Sequence, residues 1–127
     1  MLIKLELESD ISIYQQIRHQ IIEGMIIGKL KPGEALPSVR QFAMDLGINL
    51  HTVNKAYTVL KQDGYIMVHR QKGVVVADTP PGISDEFIGR FKEEIKPQIA
   101  EALLRGMQEE NLLKLLGDIF KDLKGIS

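Results

Sequence analysis

Four apolar side chains near the start of the chain recur at every fourth position, as on one face of a helix. They are Ile13, Ile17, Ile21 and Met25. Ser12 with Gln15 fits the Ser-x-x-Gln capping box, in which each side chain satisfies a free backbone donor. These signals predict a first helix over residues 12–28 that ends at Gly28.

Two shorter helical patterns follow a turn-rich connector that contains two prolines. Ser38 with Gln41 again fits a capping box, and Gly47 can adopt the left-handed conformation that ends a helix. Asn49 is a favourable N-cap for the next helix, which is predicted to end near Asp63. The core face of that helix is predicted to consist of Val53, Ala56, Tyr57 and Leu60.

The period of the pattern then changes from helical to alternating. Two β-favouring runs, residues 65–68 and 74–77, flank a turn of residues 69–73, which predicts a two-stranded hairpin packed against the helices. At the N-terminus, apolar and charged residues alternate over residues 3–8, as in a short strand or an extended arm. The consecutive prolines in residues 78–82 indicate a linker.

Helical spacing returns after Ser84. Pro97 removes a backbone donor and is expected to kink or break this region near residues 93–97, and Gly106 suggests a turn before the last helix. Two amphipathic helices of this size cannot enclose a core, so their apolar faces require another surface. We expect a second copy of the chain, because two-fold dimers are the commonest assembly; folding back on residues 1–78 is the alternative. The predicted dimerisation residues are Phe87, Phe91, Ile95, Ile99, Leu103, Leu112, Leu116, Ile119 and Phe120.

Together these elements predict a fold that is mainly α with a small β-hairpin. A first helix, a pair of helices joined by the tight turn Leu-Gly-Ile, and a following hairpin match the winged helix-turn-helix pattern. The expected organisation is a winged helix-turn-helix DNA-binding domain over residues 1–78, followed by a helical dimerisation segment over residues 79–127.

Composition excludes several classes of function. The 127 residues include no cysteine, so disulfides, thiolate nucleophiles and cysteine-ligated metals are ruled out. His19, His51 and His69 are isolated in sequence, and we expect neither a metal site nor a cofactor. No nucleophile–base pair or phosphate-binding loop is visible, so we do not expect an enzyme. The chain lacks an apolar run of about 18 residues and a signal-peptide pattern, so we expect a cytoplasmic protein with no membrane partner.

The formal net charge is −1, and the overall balance therefore does not indicate a nucleic-acid partner. By segment, residues 1–78 carry a net charge of +1 and residues 79–127 a net charge of −2. For DNA binding, the local arrangement of charge matters more than the total.

The polar start of the third predicted helix is the main functional candidate. A recognition helix enters the major groove with its first turn, which requires polar residues early and apolar residues later. A cation in the first turn of the second helix, Arg40, opposes the helix dipole, which favours an anionic partner. The hairpin turn offers ionisable groups, including His69, and a glycine that permits close approach to a phosphate backbone. The candidate DNA-binding residues are Arg40, Asn49, His51, Thr52, Asn54, Lys55, Arg70, Lys72 and Gly73, each of which could instead be a helix cap or ordinary polar surface.

Residues 30–77 resemble the winged helix-turn-helix domain of GntR-type transcriptional regulators. The matching motifs are Leu-Pro-Ser-x-Arg, Leu-Gly-Ile-Asn, Thr-Val-x-x-Ala-Tyr, Leu-x-x-Asp-Gly-Tyr and the Lys-Gly of the wing. The short C-terminal segment is similar to the dimerisation tail of the YtrA subfamily. Leu50 stands where related chains often have proline or a polar residue. The resemblance implies DNA contacts at Ser38, Arg40, Asn49, His51, Thr52, Asn54, Lys72 and Gly73.

The expected function is therefore sequence-specific transcriptional regulation. We expect a homodimeric repressor that binds double-stranded DNA at a palindromic operator, and the sequence points to no particular small-molecule effector. The alternative is a winged-helix protein–protein interaction module without specific DNA binding.

Overall fold

A computed structural model describes residues 3–125 of the chain. The backbone forms five helices and two strands within that range. They are α1 (Ile13–Ile26), α2 (Val39–Leu46), α3 (Leu50–Gln62), β1 (Ile66–His69), β2 (Gly73–Val76), α4 (Asp85–Leu104) and α5 (Glu109–Lys124). The chain divides into two compact units, the first ending at Pro81 and the second beginning at Gly82.

The core of the first unit forms where α1 and α2 pack against α3. The four residues predicted for the core face of α3 are all fully buried: Val53, Ala56, Tyr57 and Leu60. They meet Ile17 and Ile21 of α1, and the ring of Phe42 in α2 lies 5.9 Å from that of Tyr57. The helical period of the sequence therefore identified the buried faces correctly.

The N-terminal arm is extended and forms no strand in its described part. Two glutamines one turn apart on α1 hold the arm through their side-chain amides. Gln16 accepts from the backbone N–H of Glu6 at 2.8 Å and donates to its carbonyl at 2.9 Å. Gln20 makes the equivalent pair of bonds to Lys4, at 2.9 and 2.6 Å. Side-chain amides thus supply the backbone partners that a neighbouring strand would otherwise provide.

The N-terminal end of α1 differs from the prediction. The Ser12 hydroxyl caps no backbone N–H and instead donates to the Gln15 side chain, so the expected capping box is not formed. The predicted stop is confirmed, because α1 ends at Ile26 with Ile27 as its C-cap, and Gly28 follows with a positive φ of 86°. In α2, the Ser38 hydroxyl does accept from the Gln41 N–H, but the Gln41 side chain bonds Asp45 and does not complete the box.

The predicted hairpin is confirmed, with β1 and β2 paired antiparallel. Compared with the predicted runs, β1 lies one residue later at both ends and β2 one residue earlier at both ends. The connector before α2 adds a third segment to this hairpin. Ala35 bridges Val75, and the N–H of Leu36 donates to the carbonyl of Val74 at 2.8 Å. The wing is therefore fastened to the same connector that leads into α2.

The second unit consists of α4 and α5, and neither helix contains a buried residue. The expected break at Pro97 is wrong, since α4 runs continuously through it for 20 residues. The turn at Gly106 is confirmed, with a positive φ of 99°. Within residues 3–125, no helix combines the length and apolarity that crossing a bilayer demands.

Candidate nucleic-acid interface

The turn between α2 and α3 is built from local signals. Gly47 follows α2 with φ 67° and ψ 34°, a left-handed conformation that costs a residue with a Cβ about 1–2 kcal/mol. Asn49 then caps α3, its side-chain oxygen accepting from the His51 N–H at 2.7 Å. These two residues fix the angle at which α3 leaves α2, and the Asn49 oxygen is already engaged in doing so.

A hydrogen bond across the core holds the start of α2 against α3. The buried hydroxyl of Tyr57 donates to the carbonyl of Pro37 at 2.8 Å, one residue before the Ser38 cap. Burial raises the pKa of this hydroxyl well above its ordinary value, which keeps it a neutral donor. Tyr57 therefore sets where the first turn of α2 lies relative to α3.

We use the term reading edge for His51, Thr52 and Asn54 at the beginning of α3. His51 and Asn54 are exposed, and Thr52 is half-buried. Lys55, predicted as a DNA contact, is exposed but lies over the ring of Tyr14 in α1, with its nitrogen 4.1 Å from the ring centroid. A cation held this way has a fixed position beside the reading edge.

The N-terminal turns of α1, α2 and α3 contain no acidic residue, whereas α4 begins with Asp85 and Glu86 and α5 with Glu109 and Glu110. Acidic first turns are the usual arrangement, because they complement the helix dipole. The two helices of the helix-turn-helix thus leave their partly positive ends free of carboxylates. Such ends suit phosphate groups.

Arg40 lies in the first turn of α2, beside the Ser38 cap, and both residues are exposed. The two ion pairs among residues 3–125 join Arg18 to Asp63 and Arg105 to Glu101. Arg40 therefore keeps its guanidinium free of any carboxylate in this part of the chain.

The wing turn is organised by His69. Its Nδ1 accepts from the backbone N–H groups of Gln71 and Lys72, both at 3.1 Å, which requires that nitrogen to be unprotonated. Arg70 and Lys72 are exposed at the tip, and Gly73 pairs with His69 at φ 79°. His69, predicted only as one of the ionisable groups of the turn, also shapes the loop that presents Arg70 and Lys72.

Sequence reasoning missed Tyr14 and the bond from Tyr57 to Pro37. Nothing in the local pattern of α1 indicated that Lys55 would be the partner of Tyr14. Both contacts join residues from different elements, so no local spacing marks them. Within the described part of the chain, no group of three or more His, Asp or Glu side chains is placed to hold a metal ion.

Comparisons with known proteins agree with this architecture. Residues 12–76, from the cap of α1 to the end of β2, match the family of bacterial regulatory proteins named gntR. The HTH-type transcriptional repressor YtrA of Bacillus subtilis strain 168 is 33% identical over 125 residues, covering 98% of this chain and 96% of the relative.

Two solved structures are also similar over nearly the whole chain. A transcriptional antiterminator from Listeria monocytogenes EGD-e is 28% identical with a TM-score of 0.89, covering 98% of this chain and 93% of that one. YtrA from Sulfolobus acidocaldarius, described as a GntR-family transcription factor, is 38% identical with a TM-score of 0.56, covering 94% and 97%. The predicted fold class and family resemblance are confirmed, and the chain belongs to the GntR family of bacterial regulatory proteins.

Proposed function

We propose that this protein is a homodimeric repressor that binds a palindromic operator and thereby occludes a promoter. The observation that carries the proposal is the division of α3 into an accessible side, on which His51, Asn54 and Lys55 are exposed, and a fully buried opposite face. A helix so anchored can insert its first turns into the major groove without exposing core residues. The repressor role is supported by the similarity to the Bacillus repressor YtrA along almost its entire length.

Contacts to the DNA are assigned to two sets of residues. The side chains of the reading edge are assigned to contact the bases in the major groove, since amide, imidazole and hydroxyl groups can donate and accept hydrogen bonds there. Exposed groups around the reading edge are assigned to contact the phosphates, and such contacts fix the register and orientation of the protein on the duplex. These are Ser38, Arg40, Asn49, Lys55, Arg70, Lys72 and Gly73.

Dimerisation is assigned to α4 and α5. Large apolar side chains on both helices are about half or more exposed, Phe120 at 61% among them. An apolar surface of this kind is costly to leave in water and marks an interaction site. A second copy is the simplest partner, and a two-fold dimer would present two recognition helices to two half-sites. The residues assigned to the interface are Phe87, Phe91, Ile95, Ile99, Leu103, Leu112, Leu116, Ile119 and Phe120.

Selection of bound duplexes from a random pool tests the proposal most directly. We expect enrichment of an inverted repeat whose half-sites lie about 34 Å apart, one turn of B-DNA. Failure of the full-length protein to enrich any sequence would contradict sequence-specific binding. Enrichment of a single, unrepeated site would contradict the two-fold arrangement while leaving DNA binding intact.

A protein–protein module without specific DNA binding is the second candidate, and the net charge of −1 favours it. Salt dependence separates the two. Retention on immobilised duplex at low salt that is lost near about 0.3 M salt supports DNA binding, because phosphate contacts release counterions. A protein that is not retained on the column at any salt concentration supports the protein–protein interaction module.

A further inference from the structure

Leu50 is a partly accessible apolar residue at the beginning of α3. It is the first residue of α3 and is 38% exposed. Cα–Cβ bonds of a helix tilt toward its N-terminus, so this side chain leans over the beginning of α3. An apolar group therefore stands at the end of the helix that is proposed to enter the groove.

Local structure gives Leu50 no role in ending or capping the helix. The cap is Asn49, whose oxygen binds the His51 N–H. The apolar residue that precedes the cap and packs against the core is Ile48. At its position, a proline or an acidic residue would suit the backbone and dipole better than leucine. Leu50 therefore neither caps α3 nor complements its dipole, and its side chain stays partly accessible at the beginning of the helix.

We propose that Leu50 packs against the C5-methyl group of a thymine in each operator half-site and selects that base. This inference rests on the proposed function, because it requires α3 to lie in the major groove. In the major groove, the C5-methyl group of thymine is the apolar group that distinguishes an A·T pair. Apolar side chains recognise it by direct contact. Asn54, one helical turn further along and exposed, is free to bond a neighbouring base edge.

Deoxyuridine scanning of the selected operator tests the contact. Each thymine is replaced in both half-sites by deoxyuridine, which removes the methyl group and leaves the Watson–Crick and groove hydrogen-bonding groups unchanged. Affinity is measured by fluorescence anisotropy at fixed salt. For the wild-type dimer we expect one position at which the replacement weakens binding by about fourfold per half-site, the equivalent of one buried methyl-sized group.

The Leu50→Ala variant identifies the residue that senses the methyl group. It should bind the thymine operator more weakly than wild type and bind the thymine and deoxyuridine operators equally well. Alanine is a good helix former, so α3 should persist, and circular dichroism checks this. Met44→Ala is the matched control, because Met44 is also an exposed apolar residue of the helix-turn-helix, at 70%, but lies on α2. It should retain the wild-type preference for thymine.

Three results would overturn the inference. If no thymine position responds to loss of its methyl group, Leu50 contacts no methyl, while the selected operator still supports the proposed function. If Leu50→Ala keeps the full preference for thymine, another residue senses the methyl group. If the wild-type protein selects no duplex at all, the proposed function and this inference both fail.

Discussion

At the scale of single residues, Tyr57 connects the two helices of the helix-turn-helix. Its ring packs beside Phe42, and its hydroxyl reaches Pro37, twenty positions earlier in the chain. The ring alone would fill the core, so the hydroxyl adds a specific constraint on where α2 begins. Removing only the hydroxyl separates these two contributions.

We expect Tyr57→Phe to lower the free energy of unfolding by about 0.5–1.5 kcal/mol, because the part-buried Pro37 carbonyl loses its donor. Urea denaturation followed by circular dichroism measures the change. Tyr65→Phe is the matched control: Tyr65 is half-buried, and its hydroxyl makes no hydrogen bond within residues 3–125. It should shift stability by less than about 0.5 kcal/mol. Equal effects of the two variants would contradict the role assigned to the Tyr57 hydroxyl.

Arg40 is the residue on which phosphate binding can be tested most simply. Arg40→Ala should weaken operator binding at least about tenfold, the loss expected for a hydrogen bond to a charged group. It should also reduce the slope of log affinity against log salt by about 1. The measurement is a titration of labelled operator at several salt concentrations.

Arg105→Ala is the charge-matched control for Arg40, since Arg105 is exposed, pairs with Glu101 and lies outside the helix-turn-helix. It should leave the salt slope unchanged. Unaltered affinity and slope in Arg40→Ala would remove Arg40 from the interface. Loss of folding can be recognised by circular dichroism in the same samples.

At the scale of elements, the conformation of the wing turn depends on a hydrogen-bond acceptor within the turn itself. His69 Nδ1 binds two successive backbone N–H groups, and the connector before α2 fastens the base of the hairpin through Ala35. The base and the tip of the wing are therefore held by different contacts. A change at the tip can be made without detaching the hairpin.

We expect His69→Ala to weaken operator binding several-fold, because Arg70 and Lys72 lose their fixed positions. His69→Asn should bind nearly as well as wild type, since an asparagine oxygen can accept from backbone N–H groups two residues on. Operator titration gives both affinities, and thermal unfolding should show similar stability for the two variants. Equal loss in both variants would mean that the imidazole itself contacts DNA.

At the scale of the whole molecule, the two units differ in how far they bury their apolar side chains. The first encloses a core of buried side chains, whereas the second has none among its described residues. We infer that the second unit would be stabilised mainly by a partner that covers its apolar faces. If that partner is a second copy, assembly and DNA binding are coupled, because two linked reading edges bind far more tightly than one.

Leu116→Glu tests this coupling. A carboxylate placed among apolar side chains of α5 should dissociate the dimer at micromolar concentrations, since burying the charge unpaired is costly. Operator affinity should fall at least about tenfold with it. Light scattering after size exclusion reports the mass, and Lys114→Glu, on the polar side of the same helix, is the control. A dimer that persists in Leu116→Glu would place the interface elsewhere.

The sequence by itself determined the features that depend on neighbours along the chain. The buried face of α3 followed from helical spacing, and the turn into it followed from Gly47 and Asn49. Such signals are reliable because backbone conformation, capping and the period of a helix act over a few residues. The candidate contacts at the reading edge were named for the same reason, and their role in binding stays a prediction.

The tertiary structure alone decided which residues from separate elements meet. Lys55 lies over Tyr14, Tyr57 binds Pro37, and Ala35 joins the wing, although no local pattern pairs any of them. Contacts of this kind depend on how the packed elements are oriented, and that orientation arises only when the whole core closes.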